Sequence, residues 1–88
     1  MKQFFVDGAK MTDRVSAHDH LIAALSLPDY YGRNLDALFD CLTELSACTI
    51  FLQNTAQLCN SGTYGQAILD TFRDAAAETP GLTLIESV

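Results

Sequence analysis

Asp36, Asp40 and Glu44 recur four residues apart, and Asp70, Asp74 and Glu78 repeat that spacing further along the chain. Residues four apart lie above one another on the same face of a helix. Like charges placed so repel by roughly 0.2–0.5 kcal/mol a pair, a local cost with no local return. Three kinds of chemistry suit such a ridge: acid–base catalysis by a carboxylate pair, capture of a divalent cation, or contact with cations carried by another molecule.

The first two fit the residues poorly. Acid–base work needs an enclosed site that drives two acidities apart, and an open helix ridge is too well solvated for that. No oxygen-rich loop of the calcium type accompanies the acids. His18 and His20 are two apart on a helical pattern, so they point to roughly opposite sides and cannot chelate together; a core or boundary role is expected for His18. Cys41, Cys48 and Cys59 are an odd set without a CxxC pair, which argues against a zinc site or a disulfide framework and for free thiols in a reducing compartment. Neither a glycine-rich phosphate loop nor a Ser-His-Asp pattern is present. The chain is therefore expected to be no enzyme and to hold no cofactor and no metal.

The elements that position the acids follow from periodicity. Residues 3–6, QFFV, form a short β-prone run ended by the turn signal Asp7-Gly8. Val15, His18, Leu21, Ile22 and Leu25 recur at three and four, predicting a first helix capped by Thr12 or Ser16 and stopped by Pro28. A second helix is expected over 34–45, with Asn34 as N-cap. Residues 49–52 and 82–85 read as strands buried on both faces, and 54–61 has room for one short helical turn. The last helix spans 64–78 and ends before Pro80-Gly81. The order β-α-α-β-α-β predicts an α/β fold: three short parallel strands in one sheet packed against three main helices. With 88 residues, 1–88 is expected to be one domain.

On a helical wheel Ala37, Leu38, Cys41, Leu42 and Leu45 form the core stripe of the second helix. Asp36, Asp40 and Thr43 fall opposite, with Phe39 at the edge and Glu44 flanking. In the last helix Ile68, Phe72 and Ala75 face inward, and only Arg73 offers its acids local compensation. Two acidic ridges with Tyr30, Tyr31 and Phe39 beside one of them suit a protein interface. The net charge of −6 points the same way, since Arg73 is the only basic residue after Asn34. Such a field repels nucleic acid and anionic membrane and hastens encounter with a basic partner. The apolar run near the start, MKQFFVDGAK, is too short for a signal peptide, so a soluble cytoplasmic protein is expected.

The segment LPDYYGRNLDALFDCLT, residues 27–43, resembles the signature of the barstar family, intracellular inhibitors of secreted bacterial ribonucleases. FVDG at 5–8, His18 and FRD at 72–74 extend the likeness more weakly. The resemblance implies an inhibitor that plugs the active site of a basic, guanyl-specific secreted ribonuclease, one to one, and is monomeric when free. It assigns Tyr30 to pack on the enzyme's catalytic histidine and Asp40 to enter the phosphate site, with Asp36 a second interface acid. Gly32, Asn34, Leu35 and Thr43 match flanking contacts, and Asp74 and Glu78 match acids at or near the interface.

The chain also departs from the family prototype. Phe39 stands at a tryptophan position, Leu45 at another aromatic, Glu44 at a glycine and Arg33 at an acid; Asp74 is one methylene shorter than the matching glutamate. Phe39 and Glu44 count among the expected contact residues. The alternative expectation is an acidic immunity module of the same fold that neutralises a different toxin or binds another basic protein.

Overall fold

A computed structural model describes residues 2–45 and 47–88. Strand β1 (Lys2–Asp7) leads through a 3₁₀ turn (Gly8–Lys10) into helix α1 (Arg14–Leu25), followed by α2 (Leu35–Glu44) and β2 (Cys48–Gln53). Short α3 (Thr55–Asn60), long α4 (Thr63–Glu78) and β3 (Leu82–Glu86) complete the order. The sheet is β1-β2-β3, and both pairings are parallel. This is the expected α/β arrangement of three parallel strands and three main helices, with α3 as the extra short turn in the polar stretch.

Local chemistry accounts for the helix ends. Asp13, not Thr12 or Ser16, caps α1: its carboxylate accepts from the Ser16 amide at 2.8 Å. An ionised carboxylate is a stronger acceptor for an N-terminal amide than a hydroxyl, and it also answers the helix dipole. Asn34 caps α2 as expected, with its side-chain oxygen accepting from the Ala37 amide at 2.8 Å. Gly65 lets α4 close on α3, because a Cβ there would run into the Leu58 carbonyl.

The core lies between the helices and one face of the sheet. Val6 of β1, Ile50 and Leu52 of β2, Leu21 and Leu25 of α1, Leu38 and Leu42 of α2, and Ile68 and Phe72 of α4 are all buried. Burying each such side chain contributes roughly 1.5–3 kcal/mol. The opposite face of the sheet corrects the expectation of strands buried on both sides. Phe5, Phe51 and Ile85 lie side by side in register across the three strands. Phe5 is 56% and Ile85 45% exposed. Phe5 and Phe51 stack at 4.9 Å, which shields part of their apolar area. The central strand is enclosed by its neighbours whatever covers the faces, while both edge strands alternate.

At the far end of β1, Asp7 accepts from the Ala9 amide at 2.9 Å and from the Asn54 side chain at 2.7 Å. These bonds, Asn54 first, hold its carboxyl below the usual range. The Asp7 amide donates to His20 Nε2 at 2.9 Å, tying α1 to the sheet. Among the described residues no helix is long and apolar enough to cross a membrane.

Candidate functional site

The site is a loop of residues 26–34 and the helix that follows it. Ser26 ends α1 in the left-handed region (φ 52°), and Pro28 begins a turn in which the Tyr31 amide donates to the Pro28 carbonyl at 3.0 Å. Tyr31 then points inward. This corrects its placement as a second aromatic at the surface: it is 7% exposed and belongs to the core. Tyr30, its neighbour, is 84% exposed.

Tyr31 is buried because a polar partner awaits its hydroxyl. His18 Nδ1 lies 2.7 Å from the Tyr31 hydroxyl and His18 Nε2 lies 2.6 Å from that of Tyr64. A neutral imidazole has one donor and one acceptor nitrogen, so one tyrosine donates to the ring and the other accepts from it. Burial, followed by the nearby Arg33 and Arg14 cations, lowers the His18 pKa and keeps the ring neutral. Burial likewise pushes the Tyr31 phenol well up. One buried histidine of α1 thus holds both the loop and α4, which decides the expected core or boundary role in favour of the core. Tyr64 was missed by sequence reasoning; nothing in its spacing from His18 signals the contact.

Two further ties hold the loop. Arg33, itself left-handed (φ 54°), bonds Asp19 of α1 at 2.7 Å. Asn34 Nδ2 donates to the Gly32 carbonyl at 3.2 Å while its oxygen caps α2. A Cβ on Gly32 would sit 3.2 Å from Asn34 Nδ2 and 3.3 Å from the Ala37 Cβ, so a larger residue there would press on the capping side chain by a few tenths of an ångström. Tyr30 is displayed from a segment pinned on both sides.

Beyond the loop, Asp36, Asp40 and Glu44 are exposed along α2, and Asp70, Asp74 and Glu78 along α4, which packs directly against α2. Leu35, Phe39 and Thr43 are half-buried, and the Thr43 hydroxyl donates to the Asp40 carbonyl at 3.0 Å. Gly32 and Asn34 are exposed. Among the described residues the ion pairs are Arg33–Asp19 and Arg73–Glu86. Arg73 is spent mainly across elements: two of its three guanidinium nitrogens grip Glu86 of β3, at 2.8 and 2.9 Å, and lower that carboxyl's pKa, with Asp70 of its own helix adding a weaker attraction. Among the described residues, Asp36, Asp40, Glu44, Asp74 and Glu78 form no ion pair.

A groove of about 150 Å³ opens beside Tyr30, lined by Leu25, Leu27, Pro28, Cys41, Glu44 and Leu45. Glu44 and Leu45, two positions where the chain departs from the prototype, both line it. Leu45, expected in the core stripe, ends α2 half-buried at this wall. Burial, then Glu44 and Asp40, holds the Cys41 thiol above its usual range, a poor setting for a nucleophile. Among the described residues no group of three or more histidine, cysteine or acidic side chains is placed to hold a metal.

The chain is similar to known proteins over nearly its whole length. The family model described as "Barstar (barnase inhibitor)" matches residues 1–84. A protein of Bacillus subtilis (strain 168) named "Putative ribonuclease inhibitor YrdF" is 38% identical over 82 residues, covering 89% of each chain. The braced tyrosine loop, the acidic α2 and the three-stranded parallel sheet are thus those of a family member, and the chain belongs to the barstar family.

Proposed function

We propose that this protein inhibits a basic, guanyl-specific secreted ribonuclease by occupying its active site. The observation that carries the reading is the pairing of an exposed Tyr30, on a braced loop, with acids on α2 that form no ion pair among the described residues. A ribonuclease site is built to hold phosphate, so it presents cations that a fixed carboxylate satisfies by charge-assisted hydrogen bonds. Asp40 acts as the phosphate mimic. Asp36, one turn earlier, meets a second cation, and Tyr30 lays its ring on the catalytic imidazole.

The ridges of α2 and α4, with Asp74 and Glu78 contributing from the second, steer the cationic enzyme toward this face. Because the loop is already folded, little ordering entropy is lost on binding. Gly32, Asn34, Leu35, Phe39, Thr43 and Glu44 complete the contact surface. The protein acts as a monomer, one to one, without catalysis of its own, and its three free thiols fit the reducing cytoplasm where a cell guards against its own nuclease.

The test is RNA cleavage by a panel of basic secreted ribonucleases, with and without the protein, at two salt concentrations. Inhibition of a guanyl-specific member that weakens with salt is expected. Failure to inhibit any of them overturns the reading, and capture of a different basic toxin instead would favour the immunity-module alternative.

A further inference from the structure

We infer that the groove beside Tyr30 is a subsite for one arginine or lysine side chain of the partner, with Glu44 as its counter-ion. The inference rests on the inhibitor reading and concerns which partners that surface selects.

Size comes first. About 150 Å³ admits a single side chain; sites for drug-sized molecules run to roughly 300–1,000 Å³. The lining is aliphatic at Leu25, Leu27, Pro28 and Leu45, and the largely exposed Tyr30 lines the groove as well. Arginine and lysine match that layout, because their methylene stems lie along apolar surface while the charged head stays at the rim. The Tyr30 ring offers a cation a further favourable face.

Charge then selects the cation. Glu44 is the last residue of α2, where the free carbonyls carry the negative end of the helix dipole, and no basic residue lies in that last turn. Asp40 is one turn before it. A carboxylate so placed is disfavoured by its own helix until a cation arrives from outside. Among the described residues it has no ion pair. An anionic occupant would be repelled, and a large apolar one would cover the carboxylate without answering it.

The experiment uses the whole ¹⁵N-labelled protein, titrated separately with n-butylguanidinium and n-pentanol while amide shifts are followed. The expected result is saturable shifts at residues 25–27 and 41–45 for the guanidinium and none of that size for the alcohol. Glu44→Gln weakens the guanidinium response about two- to fivefold, the scale of one partly exposed ion pair, and Asp70→Asn leaves it unchanged. Equal responses to both probes, or shifts centred on Asp36 and Asp74, overturn the subsite.

Inhibition assays on the ribonuclease panel separate this inference from the reading beneath it. Probe binding in the groove with no ribonuclease inhibited keeps the subsite and removes the inhibitor reading. Inhibition that Glu44→Gln leaves unchanged removes the subsite from the interface and keeps the inhibitor.

Discussion

The His18 imidazole and the Tyr31 hydroxyl meet at 2.7 Å directly beneath the loop that displays Tyr30. The buried pair converts a surface turn into a fixed platform, since Tyr31 cannot leave the core without stranding a ring nitrogen. Tyr31→Phe should therefore cost about 1–3 kcal/mol, the penalty for one buried polar group left unpaired. Tyr64→Phe should cost less, because Tyr64 is only half-buried and water can replace its hydroxyl. Urea unfolding of both variants checks the order; equal losses would mean that the Tyr31 bond is not the tighter constraint.

Stability should also fall on mild acidification. Burial lowers the pKa of both His18 and His20, with Arg33 and Arg14 adding to the first effect and Lys10 to the second. The unfolded chain then takes up protons near pH ~6.5 while the folded one does not, so stability is full above that pH and declines as the pH drops below it. Asp7 and Glu86 titrate below their ordinary range, so they add a second loss once the pH falls below about 4. Urea midpoints between pH 7.5 and 4.5 should drift downward, and His18→Gln, though less stable at pH 7.5, should show a shallower drift. An identical slope in the variant would mean that His18 does not titrate as its burial requires.

How much of this was legible in the sequence depends on the range of the contact. Asn34 was readable as a cap, and Leu38 and Leu42 as a core stripe, because those signals lie within one helix. Thr12, Asp13 and Ser16 are all acceptable caps for α1, and only the backbone path selects Asp13. The inward turn of Tyr31 depends on His18, thirteen residues away, and on Tyr64, forty-six residues from that histidine. The open sheet face was hidden by a run of apolar residues in β2 that looks the same whether one face or two are covered. The acids of the candidate surface were visible as a spacing, but that they form no ion pair among the described residues required knowing that Arg73 turns to Glu86 and Arg33 to Asp19.

Activity and stability should separate at the surface. Asp40→Ala relieves repulsion with Asp36 and Glu44 on α2, so the fold should gain a few tenths of a kcal/mol. Inhibition should weaken by about 2–5 kcal/mol in binding, the general range when one partner of a buried interfacial charge pair is removed. Tyr30→Ala should change stability by less than about 0.5 kcal/mol, as expected of an exposed side chain, while still weakening inhibition. Unfolding curves and inhibition constants measured on the same samples decide this; an Asp40→Ala variant that inhibits as well as the parent would end the phosphate-mimic mechanism.

Close packing of the helices should be equally testable. Gly65→Ala must push its methyl against the Leu58 carbonyl, where backbone rather than a movable side chain stands in the way. Overpacking of this kind costs about 1–3 kcal/mol. Since α4 carries Asp74 and Glu78 and packs on α2, a forced shift should also weaken inhibition, and unfolding and inhibition measured together check both effects. A fully stable Gly65→Ala variant would show that α3 yields without cost.

Arg33 sets a brace against a field. Its bond to Asp19 at 2.7 Å ties the loop to α1, and the same pairing largely cancels its positive charge beside the acidic surface. Arg33→Gly removes the pair but releases a left-handed backbone that glycine adopts freely. The two effects on stability oppose each other, and the net change should stay within about 1 kcal/mol because the pair is exposed. Binding kinetics should be more revealing. With one more uncompensated acid on this side, association with a basic ribonuclease should quicken at low salt and lose that advantage as salt rises. Dissociation should also quicken, since Tyr30 would be held by Tyr31 and Asn34 alone. Stopped-flow association and dissociation rates at two salt concentrations separate the effects, and an unchanged dissociation rate would mean that the loop is held without Arg33.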